Sequence, residues 1–198
     1  MNKRIKTGCL FGSFNPIHNG HLMVAEYMAS QTDLDGVEFV VSPHSPFKDP
    51  DLMSDELHRL EMTRLALEDN PLLSVNDIEY GLGRPSYTIE TLTALSIKHP
   101  EREYSLIMGS DNLAGMRKWR DWEKILDRYN CYVYLRPGAH PGDLIQHRGV
   151  EIFDVPSIHL SSTYIRDTLA NGYSTKYLIP GKVRAYIEEH GLYSTNNP

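Results

Sequence analysis

Alternating strand-like and helix-like segments predict an α/β fold for this chain: a doubly wound parallel sheet covered by helices on both faces, a three-layer α/β/α arrangement. Three observations point there. Short apolar runs alternate with stretches of helical spacing, glycine- and proline-bearing turns separate them, and the chemically unusual residues follow the carboxyl ends of the runs. That edge is where open α/β sheets bind ligands. About five parallel strands in one domain over residues 1–193 are expected, with 194–198 as a loose tail.

The first strand is read over Ile5–Phe11, the next helix from Gly20 to Ser30, and the second strand over Val37–Ser42. A proline-rich loop, Pro43-His-Ser-Pro-Phe-Lys-Asp-Pro50, is stiff by composition. It precedes a helix from Ser54 to Glu68, with Ser54 as the expected N-cap and Leu57, Leu60 and Leu67 on the helical period. A weak strand at Leu73–Asn76 leads through Gly81-Leu-Gly-Arg-Pro85 to a helix capped by Ser86, whose inner face carries Ile89, Leu92 and Leu95. Tyr104–Met108 is a strongly apolar strand ending in Gly109-Ser-Asp111. Trp119–Tyr129 reads as a helix, and Cys131–Leu135 and Val150–Val155 as strands. Ser161 or Ser162 caps a helix through Leu169, and the last helix, Val183–His190, is entered at Pro180.

With 40% hydrophobic and 23% charged residues, the 198-residue chain has the balance of a globular protein, not a disordered one. The net charge of −6 argues against a nucleic-acid partner, which calls for a basic excess. An acidic protein that binds anions must gather its cations locally, and His18, His21, Lys48, Arg136 and Arg166 are the candidates. Cys9 and Cys131 lie in separate apolar runs without zinc-ligand spacing, which suggests buried thiols in a reducing compartment and no structural metal. The basic start, Met1-Asn-Lys-Arg-Ile-Lys6, is followed by no apolar signal core, and no run reaches membrane-spanning length. A cytoplasmic protein with no membrane partner is expected.

Two segments carry the chemistry. Gly12-Ser-Phe-Asn-Pro-Ile-His-Asn-Gly-His21 joins the first strand to the first helix. Unpaired N–H groups at a helix start attract anions, and imidazoles three residues apart add donors. A helix-start histidine alone is more often a surface cap; the pair beside Gly12, Pro16 and Gly20 is not. Leu160-Ser-Ser-Thr-Tyr-Ile-Arg166 offers a second cradle: hydroxyls at a helix start, with a guanidinium one turn on that can fork onto a phosphate. Alone it reads equally well as an ordinary cap with a solvated arginine. Together the two suit a polyphosphate.

HxGH at His18–His21 with SSTxIR at 161–166 resembles the nucleotidyltransferases of the HIGH superfamily. Pro46-Phe-Lys48, Arg59-Leu-Glu-Met62, Pro85-Ser-Tyr-Thr-Ile-Glu-Thr-Leu92, Ile107-Met-Gly-Ser-Asp111 and Trp119-Arg-Asp-Trp122 narrow the resemblance to bacterial nicotinate-nucleotide adenylyltransferases, from about residue 5 to Tyr193. Two departures stand out: Phe11 where the family often has a glycine, and Arg84 directly before Pro85 where many relatives have Arg-x-Gly-Pro.

The resemblance implies a Rossmann-like fold and transfer of the adenylyl group of ATP to nicotinate mononucleotide, giving deamido-NAD and pyrophosphate. It implies catalytic roles for His18, His21, Lys48 and Arg166. ATP would be held by Gly12, Ser13, Phe14, His18, Gly20 and His21 early in the chain, and by Ser161, Ser162, Thr163 and Arg166 late in it. For the mononucleotide it implies Lys48, Ser86, Tyr87, Thr88, Asp111 and a stacking Trp119, with Trp122 left to the core. Mg²⁺ would ride on the ATP phosphates with no dedicated protein metal site, and a homo-oligomer is compatible. The alternatives are the same chemistry on nicotinamide mononucleotide or phosphopantetheine, and a nucleotide-binding regulator without turnover. The remaining histidines, His44, His58, His99, His140, His147, His159 and His190, are read as surface or loop residues without a role.

Overall fold

The computed structural model describes residues 3–43, 54–156 and 158–194. His44, Pro46, Lys48 and Pro50, and the tail beyond Ser194, lie outside the described residues. Six parallel strands form the sheet, one more than the rough count expected: β1 Ile5–Gly12, β2 Gly36–Val41, β3 Leu73–Asn76, β4 Arg102–Gly109, β5 Asn130–Tyr134 and β6 Val150–Phe153. Their spatial order is β3-β2-β1-β4-β5-β6, with every pairing parallel. This is the Rossmann-like, doubly wound order, and its direction reverses between β1 and β4.

Seven helices cover the sheet among the described residues: α1 Asn19–Gln31, α2 Glu56–Leu67, α3 Thr88–Lys98, α4 Ser110–Gly115, α5 Trp122–Arg128, α6 Ser162–Ala170 and α7 Gly181–Glu189. Because strand side chains alternate, the inner strands are apolar on both faces and feed two cores. Leu10, Phe39 and Ile107 pack with α1, α2, α6 and α7 through Met28, Leu60, Ile165 and Val183. Their chain neighbours Cys9, Val40, Leu106 and Met108 pack with α3, α4 and α5 through Leu92, Leu113 and Ile125. Cys9 and Cys131 are buried free thiols, and burial pushes the Cys131 thiol up to about 12. Among the described residues no helix is long and apolar enough to cross a membrane.

Several local expectations shift. The α2 cap is Asp55, whose carboxylate accepts from Leu57 N–H at 2.7 Å; Ser54 instead donates its hydroxyl to Asn15 Oδ1 at 2.8 Å. Ser86 does not cap α3, because the helix begins two residues later with Tyr87 at the N-cap position and no side-chain cap. Trp119 is not helical: it closes the 3-10 turn Met116–Lys118, and α5 starts at Trp122. The short α4 was not anticipated. Ser161, the first of the two serines considered, caps α6 by accepting from Tyr164 N–H at 3.2 Å.

Candidate functional site

The two middle strands end side by side, β1 at Gly12 and β4 at Gly109, and the crevice between them opens at the switch point. Beyond β1 the chain turns through Ser13–Ile17 into α1, with His18 at the N-cap position. Phe14 sits in the left-handed region at φ 45°. Its ring is 2% exposed, packed on Phe39 and set edge-on to His21 at 5.1 Å.

The two histidines act on each other. Their rings stack with centroids 3.6 Å apart, and the His18 backbone N–H donates to His21 Nδ1 at 3.3 Å. With Nδ1 accepting, the neutral His21 ring carries its proton on Nε2. Burial, and next the charge of Arg136, hold His18 down to about 4, so it is neutral near pH 7.

Late and early segments meet here. Ser162 Oγ donates to the Pro16 carbonyl at 2.9 Å, and Arg166 Nη1 donates to the Asn15 carbonyl at 2.8 Å. Asn15 Oδ1 also accepts from Tyr193 Oη at 2.7 Å. The SSTxIR segment therefore buttresses the HxGH turn from α6, using some of its donors on backbone carbonyls.

A cavity of about 400 Å³ opens over this turn. Gly12, Ser13, Phe14, His21 and Ser162 line one end; Ser86, Tyr87, Thr88, Asp111 and Trp119 line the other. A smaller cavity of about 160 Å³ adjoins it, lined by His18, Gly20 and Ser161 together with Ile158, His159 and Leu160. His21 and Arg136 line both, which places them at the junction. Arg136 is oriented by Asp111 at 3.1 Å and Tyr134 Oη at 3.1 Å, and its backbone N–H donates to Ser110 Oγ at 3.0 Å. Gly109 permits that approach. A Cβ there would lie 2.4 Å from Asp111 Oδ1 and 2.9 Å from Arg136 Nε.

The far end holds a buried acid. Glu79 is 2% exposed; Oε1 accepts from Thr91 Oγ1 at 2.7 Å, while Oε2 has no partner. Burial raises its pKa, against the Thr91 hydrogen bond that lowers it. Ser13 Oγ and Ser86 Oγ, also buried and also lining this cavity, lack hydrogen-bond partners. Buried polar atoms are ordinarily satisfied, so three of them around one cavity mark a place for a polar ligand.

Of the residues expected from sequence, Thr163 and Arg166 line neither cavity: Arg166 lies behind the turn and donates to Thr163 Oγ1 at 3.3 Å. Lys48 is outside the described residues. Arg84 turns away and pairs with Glu56 at 2.8 Å. Trp122 is half-buried against the α3–α5 core, with Arg117 over its ring. Glu79, Arg120 and His159 were missed. His159 had a signal in its position two residues before Ser161; Glu79 had none.

The chain matches the model of the cytidylyltransferase-like family over residues 9–168. It is 44% identical to a probable nicotinate-nucleotide adenylyltransferase of Flavobacterium psychrophilum over 191 residues, 96% of this chain and 99% of that one. With the nicotinate-nucleotide adenylyltransferase of Bacillus subtilis it shares 35% over 193 residues, 96% and 99% of the two chains. Among solved structures, nicotinic acid mononucleotide adenylyltransferase of Plasmodium falciparum, complexed with NaAD, superposes with a TM-score of 0.80 over 95% and 97% of the chains at 18% identity. That likeness is one of fold.

Proposed function

The chain belongs to the nicotinate-nucleotide adenylyltransferases of the cytidylyltransferase-like family, and from that premise we propose how its residues divide the work. It transfers the adenylyl group of ATP to nicotinate mononucleotide in NAD biosynthesis, giving deamido-NAD and pyrophosphate. A phosphate oxygen of the mononucleotide attacks the α-phosphorus of ATP in line. One P–O bond forms as the bond from the α-phosphorus to the bridging oxygen breaks, and that oxygen leaves with pyrophosphate. The attacking oxygen is already ionised near neutral pH, so the protein supplies no nucleophile. Its task is positioning and charge stabilisation.

In our reading His21, with its proton on Nε2, donates to the reacting phosphates. The neutral His18 ring stacked on it keeps that orientation. Arg136, at the junction of the cavities, faces the charge that builds there. Gly12, Ser13 and Phe14 bring backbone amides to the phosphates, Ser162 holds the departing side while Arg166 braces the turn from behind, and Lys48 joins them. Adenosine occupies the smaller cavity beside Gly20, Ser161 and His159. At the other end the amides at the start of α3, around Tyr87 and Thr88, favour a carboxylate over a carboxamide. Trp119 stacks on the pyridine ring and Asp111 takes the ribose hydroxyls.

Among the described residues no group of three or more His, Cys, Asp or Glu side chains is placed to hold a metal ion. Mg²⁺ would come with ATP and be bound through phosphate oxygens, where it neutralises charge. We read residues 1–193 as one catalytic domain working in the cytoplasm on these two small molecules, a role that requires neither nucleic acid nor membrane.

The observation that supports the reading is the contact of Ser162 and Arg166 with Pro16 and Asn15, which joins the HxGH and SSTxIR segments beside one crevice. Pyrophosphate release from ATP, measured with nicotinate mononucleotide, nicotinamide mononucleotide and phosphopantetheine in turn, tests it. The acid should be strongly preferred. Equal rates with the amide would remove the carboxylate argument, and ATP binding without pyrophosphate from any acceptor would make the chain a regulator.

A further inference from the structure

Arg59, on the first turn of α2, is 1% exposed and among the largest fully buried side chains of the protein. Its partners are all backbone carbonyls. Nη1 donates to Ser13 O at 2.7 Å and Ser42 O at 2.8 Å, Nη2 to Pro43 O at 2.8 Å, and Nε to Ser54 O at 3.2 Å. Burial lowers its pKa, a sign of how strongly the guanidinium is desolvated. Where only packing is required, a buried cation is commonly replaced by an apolar side chain at no loss of stability. Four carbonyls from three separate stretches are a different demand. Only a planar fork with several fixed donors meets it.

One of those carbonyls belongs to the phosphate turn. In a trans peptide the C=O and the following N–H point in opposite directions, and Ser13–Phe14 is not among the cis bonds of the chain. Ser13 and Phe14 line the large cavity, whereas Arg59 does not. With Ser13 O turned back onto Arg59, the Phe14 N–H is on the cavity side. Phe14 also holds φ 45°, a strained conformation for a bulky residue, kept only when its surroundings over-determine it. Successive amides in such turns form anion-binding nests.

We propose that Arg59 is a positioning residue for the phosphoryl site: it holds the Ser13 carbonyl behind the turn, ties it to the end of β2, and so fixes the Phe14 N–H as an anion donor. This rests on the reading that the turn faces the reacting phosphates.

The test is a titration of ¹⁵N-labelled protein with inorganic pyrophosphate, following the Phe14 amide, in wild type and in Arg59→Lys. In wild type the Phe14 resonance moves on saturation. A single ammonium cannot span four carbonyls, so in a folded Arg59→Lys protein that response is lost. Its kcat falls on the order of a hundredfold, the usual consequence of a misplacement of about 1 Å, while KM for ATP stays within a few-fold. A Phe14 amide that ignores pyrophosphate in wild type overturns the proposal, whether or not any Arg59 variant folds. So does a folded Arg59→Lys enzyme with unchanged kcat. Failure of wild type to turn over nicotinate mononucleotide would count against the acceptor reading instead, because the pyrophosphate titration needs no acceptor.

Discussion

At one end of the large cavity the carbonyls of Asn15 and Pro16 are gripped from behind by Arg166 and Ser162, and His21 is oriented by the His18 backbone. At the other end Glu79 Oε2 and Ser86 Oγ are buried and unpartnered, and Trp119 stands in a loop after a 3-10 turn. The backbone of the turn at the first end is fixed by intramolecular hydrogen bonds that exist without ligand, although Ser13 Oγ and His18 Nδ1 are buried there without partners. The acceptor end leaves polar atoms to be satisfied by what binds. Preorganised donors act on the transition state, where charge develops, whereas contacts completed by a substrate act on its binding. Changes at the two ends should separate into kcat effects and KM effects.

The largest expected effect is at the phosphate end. If His21 donates to the reacting phosphates as proposed, His21→Ala should lower kcat roughly 10²–10³-fold, about 3–4 kcal/mol of barrier. Steady-state pyrophosphate assays would read this, with the thermal midpoint close to wild type. A change confined to KM would erase the contrast between the ends.

The second concerns pH. His18 binds its proton at about 4 in the folded protein against 6.5 ordinarily. Between those values the unfolded chain takes up a proton that the native state does not, so stability is full above about pH 6.5 and falls as pH drops toward 4. A shift of that size corresponds to roughly 3 kcal/mol. Denaturant unfolding at pH 7 and pH 4.5 would measure it, and His18→Asn should flatten the difference. An unaltered pH dependence in that variant would contradict the buried neutral imidazole.

The smallest is at the acceptor end. Trp119→Ala should raise KM for nicotinate mononucleotide several-fold, about 1 kcal/mol for a lost aromatic stack, and leave kcat and KM for ATP nearly unchanged. A kcat loss approaching that of His21→Ala would mean the two ends are not separable.

The contrast also marks what a reader of the sequence could find. β3 was legible to the residue though weak as a signal, because its short alternating run is bounded by turn residues. HxGH and SSTxIR were legible as chemistry because several polar residue types crowd into a short span at helix starts. Arg59 stood in a motif, yet its work was invisible: its four partners are backbone carbonyls at 13, 42, 43 and 54, which no side-chain pattern records. Glu79 was hidden for a similar reason, since a lone acid after a weak strand looks solvated until Thr91 and the cavity are placed around it. Ser86 had the composition of a cap but sits one residue too early, and its hydroxyl faces the cavity region with no partner.

The claim beneath all of this is that chain segments some 140 residues apart, Asn15–His21 and Ser161–Arg166, serve one triphosphate. A crystal structure with ATP and Mg²⁺ tests it most directly. His21 Nε2 and donors of the Ser161–Arg166 segment should lie within hydrogen-bond distance of the same phosphate chain. A triphosphate that touches one segment and leaves the other facing only protein would contradict the account.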